Sequence, residues 1–417
     1  MTKGNRCLAL ALVACLCACA SNTEQPAPAM AVDAGTPPLI TRMRALEAEV
    51  GSFAVKKAWS AQLTGDSIVD RAWLEGTTLL LEAYNATSRE FEVFSIDTTK
   101  GRANWMVVLG MHRLERAPHV GNGTIAFITE TDGGMIVVDS RTGSRLFNRV
   151  VKLGVVPSTD AVSSGATMYC GNYLTDRLAA VSSVDGGKGW DIVTPGLVST
   201  SPILTRSLAN QLVICGTNKG SVFAVAARAF DDVPPTSLDW SRQFSAPVSA
   251  NLCQTIIGEA DLKTTLVVVP CEDKNLYGLD AANGRSKWVL RTNSPFKSDA
   301  AAAGGFVFAK NGERFFCVDA KTGERAWWPE TAKNAPEYEK TQLFGNVQGF
   351  EDVDRVLAVA GDRTYLGKGP RTVIVANTKD GGITTSANLV NFDFVLTNGA
   401  SGHLIAGTRD GIFMAFE

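Results

Sequence analysis

A ten-residue unit recurs along the chain and constrains the fold more than any other feature. Its clearest copies are IDTTKGRANW, VDSRTGSRLF, LDAANGRSKW and VDAKTGERAW, which end at Trp105, Phe147, Trp288 and Trp327. In each copy an Asp is followed four residues later by Gly, and the aromatic residue comes four residues after that Gly. Self-similarity of this kind indicates a repeat architecture, in which one supersecondary unit is built several times.

Two apolar runs, separated by a turn, belong to each repeat. The runs are five to eight residues long and rich in Val, Ile, Leu, Phe and Ala, while turns such as DGG and NKG supply residues that tolerate positive φ. Eight such pairs follow one another from residue 77 onward, with equivalent aspartates about 40 to 60 residues apart. This spacing predicts an all-β fold, an eight-bladed β-propeller whose blades each have four antiparallel strands, A to D.

The two ends of the repeat region complement each other. The last unit has no strand D, whereas AVKKAWSAQL at residues 54–63 resembles a strand D that no strand C precedes. We therefore expect an N-terminal strand to complete the last blade and close the ring, which would leave few exposed strand edges. The predicted propeller domain spans residues 53–417.

Three positions of the ten-residue unit are expected to be structural. Its Asp can accept backbone hydrogen bonds in the C–D turn, and its Gly can adopt an unusual φ. The predicted turn residues are Asp97, Gly101, Asp139, Gly143, Asp280, Gly284, Asp319 and Gly323. The aromatic residue on strand D is expected to pack against the neighbouring blade. These blade-packing residues are Trp59, Trp105, Phe147, Trp190, Trp240, Trp288 and Trp327.

The first 18 residues have the features of an export signal. Two basic residues precede an apolar run at residues 8–16, and its nine residues are fewer than the roughly 20 needed to cross a bilayer. The segment LCAC, which ends at Cys19, resembles the bacterial lipobox, in which the Cys becomes the lipidated first residue of the mature chain. The segment LVAC fits the same pattern, so Cys15 is the alternative lipidation site to Cys19.

Residues 19–52 are predicted to form a tether rich in Pro and Ala, followed by a short helix. The lipobox resemblance implies an acyl anchor on a membrane that faces the periplasm. Ala20, rather than Asp, follows Cys19, and this favours the outer membrane. The expected location is therefore the bacterial outer membrane, with the protein lipid-anchored and facing the periplasm.

The repeat resembles that of the PQQ-type propeller family, and NLYGLDAANGRSKW and RFFCVDAKTGERAWW match it best. The lipobox and the length of a single propeller make the chain similar to the BamB family of propeller lipoproteins, which belong to the outer-membrane β-barrel assembly machinery. This resemblance implies a non-catalytic scaffold that works as a monomer within a complex of envelope proteins. The chain departs from the repeat at Phe147, Ser182, Asn377 and Thr385.

Quinone-dependent dehydrogenases also contain this repeat, and a periplasmic quinone-binding or other ligand-binding propeller is the alternative function. Those enzymes use a disulfide between adjacent cysteines and a Ca²⁺ site. The chain beyond residue 19 has no Cys-Cys dipeptide, and its three histidines are scattered. We expect no catalytic residue, no cofactor and no metal. The net charge of −2 gives no reason to expect a nucleic-acid partner.

Strand direction alternates within a blade, so the B–C and D–A loops share one face of the ring, here called the B–C/D–A face. The opposite face, with the A–B and C–D turns, is called the A–B/C–D face. Residues 362–370 are predicted to be a B–C loop, and Arg363, Tyr365 and Arg371 are predicted to contact a protein partner.

Cys253 and Cys271 flank a plausible hairpin and are the best candidates for a disulfide. Buried free thiols are the alternative for these cysteines.

Overall fold

The computed structural model of the protein describes most of the chain from residue 37 onward. The described residues are 37–50, 57–63, 65–121, 123–129, 134–147, 150–205, 211–258, 263–312, 314–327, 350, 352–369, 371–397 and 404–416. The predicted signal segment 1–18 and both candidate lipidation residues, Cys15 and Cys19, lie outside these residues.

Helix α1 (Pro37–Val50) and strand β1 (Lys57–Gln62) precede the repeated sheets. Blades 1 to 4 each consist of four strands that follow one another along the chain and pair antiparallel. In the order A to D, these strands are β2 (Ser67–Glu75), β3 (Thr78–Asn85), β4 (Glu90–Asp97), β5 (Arg102–Gly110); β6 (His119–Gly121), β7 (Thr124–Ile128), β8 (Gly134–Asp139), β9 (Val151–Lys152); β10 (Val162–Ser164), β11 (Thr167–Gly171), β12 (Arg177–Ser182), β13 (Lys188–Val193); and β14 (Ile203–Leu204), β15 (Leu212–Gly216), β16 (Ser221–Ala226), β17 (Trp240–Gln243).

Blades 5 and 7 continue this order, whereas the consecutive strands of blades 6 and 8 number three each within the described residues. Their strands are β18 (Cys253–Ile257), β19 (Thr264–Pro270), β20 (Asn275–Asp280), β21 (Ser286–Arg291); β22 (Ala301–Ala303), β23 (Phe306–Asn311), β24 (Arg314–Asp319); β25 (Val353–Ala360), β26 (Arg363–Lys368), β27 (Thr372–Asn377), β28 (Ile383–Asn388); and β29 (Phe394–Thr397), β30 (Leu404–Gly407), β31 (Ile412–Phe416). Within the described residues blade 6 has three strands, and an isolated bridge between Val318 and Arg325 follows them. The eight sheets confirm the predicted all-β, eight-bladed propeller.

Blade 8 is assembled from two distant parts of the chain. Strand β1 is its outer strand D, and it pairs antiparallel with β31, with Ser60 opposite Met414 and Gln62 opposite Ile412. The predicted closure of the ring by an N-terminal strand is therefore confirmed.

The middle strands of the blades are buried because neighbouring blades cover them on both sides. All five residues of Thr124–Ile128 are buried, whereas the outer strand Arg102–Gly110 alternates between buried and more exposed positions. Continuous apolar runs are typical of strands covered on both faces. The apolar clusters join adjacent blades, as where Leu80 and Trp105 of blade 1 pack with Ile125 and Val138 of blade 2.

Helix α1 packs across the seam between blades 7 and 8. Leu46 and Val50 are buried in one cluster with Val375 and Leu389 of blade 7 and Met414 of blade 8. Strand D of blade 7 has Thr385 at the position where other blades have Trp, so the helix supplies apolar cover at this seam. Ion pairs of Arg42 with Asp410 and of Lys57 with Glu47 hold the helix at its polar side. Helix α1, the one helix among the described residues, does not have the length and apolar character of a membrane-spanning segment.

The prediction of a B–C loop at residues 362–370 is wrong. The run RVLAVAGDRTYLGKGPRTVIVAN forms three strands, β25, β26 and β27, rather than one hairpin. The turn before Arg363 is the A–B turn of blade 7, and Thr364 and Leu366 are buried in strand B. Arg363 therefore lies at the A–B/C–D face, and Tyr365 is half-buried within the strand. Of the three predicted contact residues, Arg371 lies at the B–C turn.

Candidate functional site

Where it occurs, the recurring Trp fastens its blade to the next one. The Trp288 indole Nε1 of blade 5 donates to the backbone oxygen of Ala320 in blade 6, at 2.9 Å. Gly323, with φ of +76°, faces the ring so closely that an added Cβ would lie 2.5 Å from the Trp288 Cγ atom. Only Gly combines this backbone conformation with this clearance. The unit thus pairs an indole on strand D with a glycine on the neighbouring turn.

The same donor and acceptor arrangement recurs at five other seams. The indole Nε1 atoms donate to backbone oxygens of the next blade at 2.6 to 2.9 Å, in the pairs Trp59–Thr98, Trp105–Ser140, Trp190–Ala229, Trp240–Ala281 and Trp327–Thr378. Gly101, Gly143 and Gly284 approach the indoles of Trp59, Trp105 and Trp240 in the way that Gly323 approaches Trp288. The recurrence ties these residues to blade assembly rather than to a ligand.

The turn aspartates organise the C–D turns. The Asp280 Oδ1 atom accepts from the backbone N–H of Ala282 at 3.0 Å, and Asp97, Asp139 and Asp319 accept equivalent bonds. Backbone bonds from Thr142 and Arg141 hold the pKa of Asp139 below its usual range. Such bonds favour the ionised carboxylate, so the turn at Asp139 keeps its geometry at neutral pH.

Phe147 does not occupy the position of the recurring Trp. It is half-buried and precedes strand β9 of blade 2. A Cβ at Gly186, on the C–D turn of blade 3, would have Lys152 O and Val151 Cγ1 as its nearest neighbours, at 3.0 and 3.1 Å. The short strand β9 therefore fills this seam, and the expectation that Phe147 packs there is wrong.

The predicted disulfide between Cys253 and Cys271 does not form, and both residues are free thiols. Cys253 packs in the cluster between blades 5 and 6, and Cys271 packs in the cluster between blades 4 and 5. Their side chains thus lie on opposite sides of blade 5. Burial raises the pKa of each thiol to about 12, so both stay protonated and behave as small apolar side chains.

The alternative quinone-binding function would require a metal site. No three His, Cys, Asp or Glu side chains among the described residues are grouped so that they could bind a metal ion. His403 lies outside the described residues. His119 is buried in strand A of blade 2, and its Nε2 atom has no hydrogen-bond partner there.

His119 is expected to make the protein less stable in mild acid. Burial lowers its pKa from 6.5 to about 4, so between these pH values the unfolded chain binds a proton that the folded chain excludes. Stability must therefore fall as pH decreases from about 6.5 to 4, by up to about 3 kcal/mol for this group. Urea denaturation at several pH values measures this slope.

The matched variant is His119→Asn, which stays neutral and can still donate to the backbone of Ala161, the partner of His119. Its unfolding free energy should change less between pH 6.5 and 4 than that of the wild type. Equal slopes for the two proteins would contradict the assignment to His119.

Exposed apolar side chains concentrate on the B–C/D–A face, a feature that the loop lengths do not reveal. By their places at strand ends and loops, the residues on this face are Ile68, Tyr84, Met111, Tyr173, Leu174, Val193 and Val390. Large apolar groups exposed close together often mark interaction sites. The sequence signal that could have revealed one of them is the apolar pair Tyr-Leu within the polar turn NYLTD.

Blade 3 contributes three of these residues, Tyr173, Leu174 and Val193, here called the blade-3 patch. Their exposed fractions are 63%, 72% and 61%. The turn is held by backbone bonds from Tyr173 N to Val156 O at 2.7 Å and from Thr194 N to Asp176 O at 3.0 Å. The second bond joins the B–C turn to the end of strand D, beside Val193.

Ion pairs surround this patch. Lys219 of blade 4 contacts Asp176 at 2.7 Å, and Arg177 contacts Asp191 at 2.7 Å. An apolar centre with a polar rim is the usual composition of a protein–protein interface. The patch can therefore bury apolar surface of a partner.

Comparisons with known proteins agree with this architecture. A family model described as "Outer membrane protein assembly factor BamB" matches residues 44–259 and 256–389. Among curated proteins, no sequence matches the chain.

Solved structures with a similar fold include proteins of different kinds. BamB from Moraxella catarrhalis is 15% identical with a TM-score of 0.60, and the match covers 87% of this chain and 99% of that one. The computationally designed Ika8 protein is 13% identical with a TM-score of 0.56, covering 85% and 98%. The quinohemoprotein alcohol dehydrogenase from Comamonas testosteroni is 12% identical with a TM-score of 0.57, covering 88% and 77%.

At such low identities the solved structures establish the propeller fold alone, because one fold supports unrelated functions. The family model is the stronger finding, since its two matches cover most of the chain. The chain belongs to the family described as outer membrane protein assembly factor BamB.

Proposed function

We propose that the chain is a non-catalytic, lipid-anchored scaffold that binds a protein partner in the bacterial envelope, within an outer-membrane assembly complex. Membership of the BamB family supports the cellular process. The observation that supports the binding role most directly is the blade-3 patch, which exposes apolar side chains on a well-held turn.

The blade-3 patch has the properties of an interface centre. Tyr residues contribute strongly to many interfaces because a large ring is buried at a low cost in conformational entropy. The backbone bonds of the turn keep Tyr173 and Leu174 presented before a partner arrives, which lowers the cost of binding. The neighbouring ion pairs can orient the partner without dominating the affinity.

The proposed anchor is an acyl group on Cys19, with Cys15 as the alternative, which would place the propeller on the periplasmic side of the outer membrane. A membrane anchor would confine the scaffold near its partner and so raise its effective concentration. The lipobox resemblance and the family description support this part of the proposal.

The function is tested by photo-crosslinking in native envelopes, with the crosslinkable residue placed at Asp176 beside the patch. The double variant Tyr173→Ser/Leu174→Ser should recover at least about tenfold less of the crosslinked partner, since a loss of about 1.4 kcal/mol in binding gives a factor of ten. Mass spectrometry identifies the partner. The cells are fractionated first, and this step tests the anchor. The Cys19→Ala variant should no longer be found in the membrane fraction.

A matched control lies on the other face of the ring. Val233 is 72% exposed in the C–D insertion of blade 4, and Val233→Ser should leave recovery unchanged. Thermal unfolding should be the same for all variants because the substituted side chains are exposed. Undiminished recovery with the double variant, or an equal loss with Val233→Ser, would refute binding through the blade-3 patch.

A further inference from the structure

A cleft lies on the B–C/D–A face where blades 7 and 8 meet. It has a volume of about 440 Å³ and is lined by Arg371, Asp393, Phe394 and Arg409. Arg371 comes from the B–C turn of blade 7, Asp393 and Phe394 from the start of strand A of blade 8, and Arg409 from the B–C turn of blade 8. Pockets of this size accept small molecules or single side chains of a peptide.

The cleft has an excess of positive charge. The Asp393 Oδ1 atom accepts from Arg371 Nη2 at 3.1 Å, and its Oδ2 atom accepts from the backbone N–H of Arg409 at 2.9 Å. One carboxylate and two arginines thus line the cleft. Within the described part of the chain, the Arg409 guanidinium forms no ion pair, and the adjacent Asp410 is already paired with Arg42 of helix α1. A bound anion would supply the missing negative charge.

One wall of the cleft is aromatic and fixed. The Phe394 ring stacks on the Phe413 ring, with centroids 6.1 Å apart and planes inclined by 20°. Phe394 is half-buried, so its outer surface is available to an apolar group. The cleft thus combines a cation with an apolar surface, which together select amphipathic anions over simple ones.

Backbone hydrogen bonds preorganise the cleft. Asp393 N donates to Gly407 O at 2.8 Å, Leu389 N donates to Arg371 O at 2.7 Å, and Val69 N of blade 1 donates to Arg409 O at 2.7 Å. The backbone around Arg371 is therefore held within blade 7, that around Asp393 within blade 8, and that around Arg409 by blade 1. A ligand would have little backbone to order, so more of its interaction energy would appear as affinity.

We propose that this cleft binds a carboxylate joined to an apolar group, with Arg409 contacting the carboxylate and Phe394 contacting the apolar group. A guanidinium matches a carboxylate through paired N–H donors. The same chemistry occurs in free aryl or alkyl carboxylates and in the C-terminal residue of a peptide that ends in an apolar amino acid. This site is separate from the blade-3 patch and does not depend on the proposed scaffold function.

Isothermal titration of the purified propeller with N-acetylphenylalanine tests the proposal. The matched ligands are its amide, which lacks the charge, and acetate, which lacks the apolar group. We expect each to bind at least about tenfold more weakly than N-acetylphenylalanine, a factor that corresponds to one lost contact of about 1.4 kcal/mol. A short peptide ending in Phe, as the free acid and as the amide, distinguishes the two sources of the ligand.

Arg409→Gln should weaken the binding of N-acetylphenylalanine at least about tenfold, and Arg409→Lys should restore part of it by returning the charge. Arg363→Gln is the control, because Arg363 is an exposed arginine at the A–B/C–D face and should leave binding unchanged. Equal binding of the acid and its amide would overturn the proposal. So would equal binding of inorganic phosphate, or wild-type affinity in Arg409→Gln.

Discussion

Trp288→Ala is expected to lower the free energy of unfolding by about 3–5 kcal/mol, the range found when a large buried aromatic residue is truncated. The indole is 7% exposed and packs with Phe296, Val307 and Val318 at the seam of blades 5 and 6. The variant loses this packing and leaves the Ala320 oxygen without its donor. Urea denaturation followed by circular dichroism measures the change.

Two further variants divide this loss into its causes. Trp288→Phe keeps an aromatic ring but removes the N–H donor, so about 1–3 kcal/mol should be lost. Val289→Ala on the same strand, where the side chain is 38% exposed, should cost less than about 1 kcal/mol. If Trp288→Ala were no more destabilising than Val289→Ala, the indole would not fasten the blades.

Gly323→Ala tests the other half of the same contact. The added Cβ would lie 2.5 Å from the ring of Trp288, so this substitution should also destabilise the protein. Combining it with Trp288→Ala removes the clash. The double variant should then lose less stability than the sum of the losses in the two single variants. Strict additivity would argue against direct packing between this turn and the indole.

Glu82→Ala is expected to destabilise the protein by about 3–5 kcal/mol, because it leaves one member of a largely buried ion pair without its partner. The Glu82 side chain is fully buried, and Arg71 Nε contacts it at 2.6 Å. Its other oxygen accepts from the backbone N–H of Leu114 at 2.7 Å. The carboxylate thus connects two strands of blade 1 to the segment that leads into blade 2.

An exposed ion pair beside it provides the matched control. Asp70 and Arg113 pair directly next to Arg71 and Leu114, with side chains 37% and 53% exposed. Asp70→Ala should cost at most about 1 kcal/mol, because water screens exposed pairs. Glu82→Gln should be less harmful than Glu82→Ala, since the amide can still accept from Leu114. Similar losses for Asp70→Ala and Glu82→Ala would contradict the role assigned to burial.

The repeat unit allowed the fold to be predicted because its key residues meet demands of the backbone itself. A turn that needs positive φ selects Gly, and a seam that needs a large ring with one donor selects Trp, so Gly323 and Trp288 are visible in the sequence. Ring closure was predictable for a related reason. The sequence contains a strand D with no strand C before it and a last unit with no strand D, and pairing the two satisfies both.

The candidate sites were less predictable because they depend on register and on distant residues. The run around Arg363 contains two turn signals, and period-two alternation alone does not say which of them ends strand A. The cleft combines Arg371 with Arg409, and their proximity arises only when blades 7 and 8 are assembled. Cys253 and Cys271 are separated because the two sides of one sheet face different blades.

Ring closure has a consequence for the order of events during synthesis. Gln62 pairs with Ile412, so β1 leaves the ribosome about 350 residues before its partner strand exists. At rates of roughly 5–20 residues per second this interval lasts on the order of 20–70 s. Throughout that time the edge of β1 that bonds to β31 in the finished ring has no partner strand. The ring therefore stays open for most of the synthesis of the chain. A chaperone that covers the free edge of β1 would act during this interval.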